Sequence, residues 1–159
     1  MSRRSTPGSD RHSLLAMPAG LSPRLAEIVA ALPLEPQLRV LEVGCGPGAA
    51  ARAVAAELTT GHILAIDRSA TAIAQARKYA AAEIASGRMS VRQVAIEDFT
   101  LLPGEEPFDL VFAVRVGALD GRHPEAGQKA LQRIAAATAP GAHLFIDGGH
   151  PLRELSLPR

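Results

Sequence analysis

A short apolar run, Leu38 to Val43, ends in Gly44-Cys45-Gly46-Pro47-Gly48 and passes at once into an alanine-rich segment, Ala49 to Leu58. No other stretch constrains the fold of this chain as strongly. Glycines at 44, 46 and 48 let the backbone turn sharply and come close to a ligand with no Cβ in the way. The helix predicted behind them directs its free N–H groups and the positive end of its dipole at the loop. A strand, a glycine turn and a helix in this order open a parallel α/β sheet.

The rest of the chain repeats the alternation. A first helix is predicted from Pro23 to Leu32, capped by Ser22, with Leu25, Ile28, Val29 and Leu32 on one face. Further strands are predicted at His62–Ile66, Met89–Ala95, Phe108–Val114 and Ala142–Ile146. One helix is predicted from a Ser69 cap to about Ala85, stopped by Gly87. Another spans Glu125 to Thr138, before a Pro140-Gly141 turn. Strands separated by helices imply a doubly wound, mostly parallel α/β sheet with helices on both faces. Such a sheet binds its ligand at the carboxyl ends of the strands.

A length of 159 residues suits one domain. Residues 1–13 read as a flexible arm and residues 14–159 as the domain. A net charge of +1 predicts no broad basic surface, so nucleic acid is not the expected partner. One cysteine, Cys45, rules out an internal disulfide and fits a reducing compartment. No apolar run reaches the roughly 18 residues of a membrane span, and no secretory signal is visible. The expected location is cytoplasmic, with no membrane partner.

The ligand of the loop is narrowed by one side chain. Gly44, Gly46 and Ala49 also fit the dinucleotide pattern G-x-G-x-x-A, but Glu42 lies two positions before the first glycine. Its negative charge repels a pyrophosphate and suits an ammonium or sulfonium group. No Gly-Lys-Ser/Thr follows, so the loop is not a P-loop. Asp67, at the end of the second strand, can accept both hydroxyls of a ribose, a device shared by several nucleoside cofactors; it can equally cap a turn.

Taken together, Glu42-Val43-Gly44-Cys45-Gly46-Pro47-Gly48 resembles the first motif of the class I S-adenosylmethionine-dependent methyltransferases, here of small-molecule type, a family with a Rossmann-like fold. The resemblance runs from about Leu38 to Asp147 and implies S-adenosylmethionine as cofactor, with S-adenosylhomocysteine as product. It places Gly44, Cys45, Gly46 and Gly48 against the methionine part and Glu42 near its amino group. It puts Asp67 on the ribose and Arg68 beside the adenine. The family often carries an acidic residue where this chain has Ala95, which leaves Ile96 through its backbone N–H, and Glu97 or Asp98, to meet the adenine. Phe108-Asp109-Leu110-Val111 resembles the family's fourth strand, with the backbone at Ala113 and Val114 beside the methionine part.

Methyl transfer is an in-line displacement that needs alignment, with a base only where the nucleophile has a proton to lose. The loop Arg115–Pro124 is the expected place for the acceptor, a small molecule. Arg115 is the candidate for binding an acidic group on it. His123 is the base candidate by location and His150 the next; a surface histidine beside Pro124 is the plainer reading. The histidines show no metal-ligand spacing. The chain looks short at its C-terminal end: Leu152-Arg153-Glu154-Leu155 promises little structure. His143-Leu144-Phe145-Ile146 would then form an open sheet edge, and a homodimer through it is expected. Two other readings stand beside methyl transfer: an S-adenosylmethionine-binding module without catalysis, and an NAD(P)-dependent oxidoreductase.

Overall fold

The structure is a computed structural model and describes residues 20–159. The predicted arm lies outside the described residues. Twelve segments follow in order, counting the one short 3₁₀ turn. Helix α1 is Pro23–Ala31, strand β1 Arg39–Val43, α2 Ala49–Glu57, β2 His62–Asp67, α3 Ala70–Tyr79 and α4 Ala81–Ala85. Strand β3 is Met89–Gln93, followed by the 3₁₀ turn Ile96–Asp98, β4 Phe108–Ala113, α5 Pro124–Ala136, β5 Thr138–Asp147 and β6 Leu152–Leu155.

The six strands form one sheet in the order β3-β2-β1-β4-β5-β6. All neighbours run parallel except β5 and β6, which are antiparallel. The chain winds outward from β1 to β3, then returns to β4 on the other side of β1. The carboxyl ends of β1 and β4 therefore flank the point where the winding reverses, and a crevice opens there.

Alternation along each strand supplies two cores. Val40, Ile63, Ala65, Leu110 and Phe112 face α1 to α4, where Val54, Leu58, Ile73 and Ala76 meet them. Leu41, Leu64, Ile66, Val111 and Leu144 face α5 and the 3₁₀ turn, against Ile134, Ala130 and Phe99. Helices thus cover both faces, as the apolar spacing predicts. Ser22 Oγ accepts from Leu25 N–H (3.1 Å) and Ser69 Oγ from Ala72 N–H (3.1 Å), so both expected caps form.

Three elements differ from the sequence reading. The helix expected to run unbroken to Ala85 bends at Ala80, whose φ of −99° and ψ of 20° interrupt the helical geometry while its side chain stays fully buried. Strand β5 begins at Thr138, earlier than Ala142, because Thr138 already pairs with Phe108; the Pro140-Gly141 turn becomes an irregularity in the register. Most consequentially, Leu152–Leu155 does form a strand. Leu144 pairs with Leu155 and Asp147 with Leu152, so β6 covers the edge of β5. The expected open edge at β5 is therefore absent, and with it the physical ground for a homodimer through that edge.

Candidate functional site

The glycine loop is braced from β2. Gly44 and Cys45 both donate their N–H groups to the carbonyl of Ile66, at 2.8 and 2.9 Å. Gly46 N–H donates to Asp67 Oδ2 at 2.9 Å, and Ser69 N–H to Asp67 Oδ1 at 2.9 Å. One carboxylate thus ties the loop to the cap of α3, so Asp67 does serve as a turn aspartate; lone pairs remain on it for further donors. The glycines are needed for different reasons. Gly44 has φ +75°, and a Cβ there would stand 2.8 Å from Val116 Cγ2. Gly48 has φ +92° and packs on Ala76, where a Cβ would meet Ala76 Cβ at 3.3 Å. Gly48 therefore lets α2 approach α3.

Glu42 is the unusual residue of the site. It lies on the α1–α4 face of β1, only 3% exposed, and its Oε1 is buried without a hydrogen-bond partner. Burial, and secondarily the nearby Asp67 carboxylate, push its carboxyl well above the ordinary range. A buried acceptor left unsatisfied costs about 1–3 kcal/mol. It persists readily where a ligand's cation completes it. Cys45 is buried beside it, and burial with the charges of Glu42 and Asp67 pushes its thiol far up. Cys45 is thus a packed small side chain and a poor nucleophile.

Two cavities meet over the strand ends. The larger, about 700 Å³, is lined by Glu42, Gly44, Cys45, Gly46, Val114 and Arg115, with the start of α1 and one side of α2. The smaller, about 530 Å³, is lined by Asp67, Arg68, Ala95, Ile96, Glu97 and His123, among others. Gly44 and Arg115 belong to both walls. Both volumes lie within the range of about 300–1,000 Å³ usual for small-molecule sites.

The structure therefore gathers Asp67, Arg68, Ile96 and Glu97 in one cavity and Glu42, Gly44, Cys45 and Gly46 in the other. Ala113 is buried in the sheet (1% exposed), and Val114, expected beside it, lines the larger cavity. His123, the expected base, stands at the start of α5 and lines the smaller cavity, among the residues assigned to the nucleoside. His150 lines neither cavity. His62 is held between Gly87 O and Ser90 Oγ, a structural role. Among the described residues no group of His, Cys, Asp and Glu side chains could hold a metal ion, and no helix is long and apolar enough to cross a membrane.

Arg115 is the one non-glycine residue with positive φ (+59°) among the described residues. Such a conformation costs about 1–2 kcal/mol. It is held by the Arg115 N–H, which donates to Asp147 Oδ1 at 2.9 Å. Among the wall residues that sequence reasoning missed are Arg24, Arg52 and Tyr79. Arg24 also contacts Asp147, with Nη2 3.6 Å from Oδ2, and Arg52 pairs with Glu83 at 3.1 Å. Nothing in the local pattern of α1 or α2 marks these arginines, because only the packing of the helices brings them to one wall.

Comparison with known proteins agrees with this geometry. The family described as "Methyltransferase domain" matches residues 40–141. The chain is 31% identical over 121 residues to a trans-aconitate 2-methyltransferase of Delftia acidovorans, covering 76% of this chain and 41% of that protein. It is 32% identical over 133 residues to the enzyme of the same name from Methylobacterium nodulans, covering 82% and 46%. The chain thus spans under half the length of these curated relatives. Among solved structures, the [4+2]-cyclase SpnF superposes with a TM-score of 0.62 at 27% identity, covering 77% of this chain and 43% of that one. With its glycine loop after β1, its reversal of winding between β1 and β4, and a family match over 40–141, this chain belongs to the methyltransferase domain family.

Proposed function

We propose that the protein transfers a methyl group from S-adenosylmethionine to a small-molecule acceptor. The observation that carries this reading is Glu42: a buried carboxyl with an unpartnered oxygen, beside a glycine loop, on the wall of a cavity of about 700 Å³. A pyrophosphate would be repelled there, whereas an ammonium would complete the unpaired acceptor. The residues present fit the cofactor. Glu42 and the Gly44–Gly46 backbone hold the methionine part, while Asp67, Arg68, Ile96 and Glu97 hold the nucleoside. When bound, the cofactor supplies an electrophilic methyl carbon on a positively charged sulfur.

The protein's own contribution is alignment. Gly44 and Arg115, shared by both cavities, put the cofactor's middle against the acceptor space. Arg115 contacts the acceptor. The names of the curated relatives favour a small acid as acceptor. A cytoplasmic setting belongs to the same proposal and is supported by the single, buried thiol of Cys45. A second reading, a binding domain that serves other chemistry, is favoured by the likeness to a cyclase, since one fold hosts many reactions.

The test is calorimetric titration with S-adenosylmethionine, S-adenosylhomocysteine and NADH, followed by transfer of a labelled methyl group to a panel of small acids. Micromolar binding of the first two and label transfer are expected. Binding without transfer to any acceptor would favour the second reading. NADH binding alone would overturn both.

A further inference from the structure

The two cavities share two wall residues, Gly44 and Arg115. After Arg115 comes Val116, whose Cγ2 lies against Gly44, 2.8 Å from where a Cβ on that glycine would stand. Val116 therefore rests on the glycine loop. The direction in which the chain leaves β4 decides that contact, and the backbone of Arg115 sets the direction. Its φ is +59°, and no other non-glycine residue among those described has a positive φ. Strain of this kind persists only where the surroundings impose it, and it gathers at functional sites.

Here the surroundings are one carboxylate on another strand. Asp147 ends β5, and its Oδ1 accepts the Arg115 N–H at 2.9 Å. Its Oδ2 faces Arg24 Nη2 of α1 at 3.6 Å. Pairing on both sides of β5 fixes where this carboxylate stands: Ile146 pairs with Ala113 of β4, and Asp147 with Leu152 of β6. Asp147 itself lines neither cavity.

Resting on the cofactor reading above, we propose that Asp147 is a positioning residue: it holds the left-handed turn at Arg115, and so keeps Val116 on Gly44 where the two halves of the site join. It touches no ligand and acts through the Arg115 backbone. Without its oxygen, Arg115 relaxes toward the negative φ that a residue with a side chain prefers. Only molecules still in the left-handed form then bind, and the apparent affinity falls by their fraction. The left-handed cost for a non-glycine residue corresponds to about fivefold to thirtyfold in affinity. Arg115→Gly removes that cost, because glycine adopts either hand readily. It should make the carboxylate dispensable.

The experiment is calorimetric titration with S-adenosylhomocysteine on the full chain and its variants, at a temperature where thermal scans show each to be folded. Asp147→Ala is expected to bind about fivefold to thirtyfold more weakly than the unaltered protein. Asp147→Asn keeps an oxygen for the Arg115 N–H and should stay within about twofold. Added to Arg115→Gly, Asp147→Ala should change affinity by less than about twofold. Added to Arg24→Ala, it should keep its full effect, because the action runs through Oδ1. A carboxylate that only stabilised the sheet would lower the melting temperature in every background and leave these affinities alike. Arg88→Ala, exposed and outside both cavities, should bind as the unaltered protein does. An Asp147→Ala loss that is the same with and without Arg115→Gly would overturn the proposal. So would an Asp147→Asn loss as large as that of Asp147→Ala, or no loss in either. An unaltered protein that binds no S-adenosylhomocysteine would instead overturn the cofactor reading on which the proposal rests.

Discussion

Replacing Gly44 by alanine perturbs the site in two separable ways. The residue sits at φ +75°, and the left-handed backbone costs a non-glycine residue about 1–2 kcal/mol. The new Cβ would also stand 2.8 Å from Val116 Cγ2, well inside the usual carbon–carbon contact of about 3.5–4.0 Å. Forcing a methyl into packed space costs about 1–3 kcal/mol. A combined loss near 3 kcal/mol lowers the melting temperature of a domain this size by about 6–12 °C. Gly46→Ala is the internal control. Its φ of +53° carries the backbone cost, but a Cβ there meets nothing within 4 Å. It should lose about 1 kcal/mol, or about 2–4 °C. Because Gly44 lies on the walls of both cavities, its methyl should also weaken S-adenosylhomocysteine at least tenfold, which is about 1.4 kcal/mol. The assay is a double-mutant cycle with Val116→Ala, read by chemical denaturation and calorimetry. Removing Cγ2 should restore the contact cost and leave the backbone cost, giving a coupling of about 1–3 kcal/mol. A coupling near zero, or unchanged ligand affinity in Gly44→Ala, would refute the reasoning.

Other expectations follow from the same site. Glu42→Gln should cut the affinity for S-adenosylhomocysteine at least tenfold and remove a pH-dependent cost. The folded carboxyl is raised above its unfolded value, so wild-type stability falls as pH climbs above the unfolded pKa and levels off only past the folded one. Denaturation between pH 4 and 8 should show the wild type losing stability relative to Glu42→Gln; parallel curves would argue against a buried, shifted carboxyl. Asp67→Asn leaves one acceptor for two N–H donors and should lose about 2 kcal/mol in thermal or chemical denaturation, along with cofactor affinity. His123→Ala should leave kcat within threefold, since the histidine lines the smaller cavity; a hundredfold loss would restore it as a base. Deleting residues 152–159 bares the edge of β5, which β6 covers, and should raise the mass seen in light scattering above that of the unaltered chain.

The parallel sheet and the loop were legible because their signals are local. Glycines at 44, 46 and 48 and the apolar runs around them state the turn and the strands directly. The bend at Ala80 was not, since neither glycine nor proline marks it and the packing of a buried alanine decides it. Strand β6 escaped notice because four residues are too few to show alternation, and only pairing with β5 makes Leu152–Leu155 extended. In the site, Glu42 and Asp67 could be read from their places at strand ends. The burial that leaves Glu42 Oε1 unpartnered, and the convergence of Arg24 and Arg52 on one wall, are tertiary facts. For Ala113 and Val114 a motif names the neighbourhood, and the pleat of the strand decides which of the two side chains lines the cavity, here Val114.

The brace from β2 bears on how a ligand arrives. With the N–H groups of Gly44 and Cys45 on the Ile66 carbonyl and that of Gly46 on Asp67, the loop is held by three hydrogen bonds that need no ligand. Little chain entropy is left to lose at the moment of encounter. Association with the cofactor is then expected to be a single fast phase, first order in ligand up to high concentration, without the plateau that a slow ordering step imposes on the observed rate.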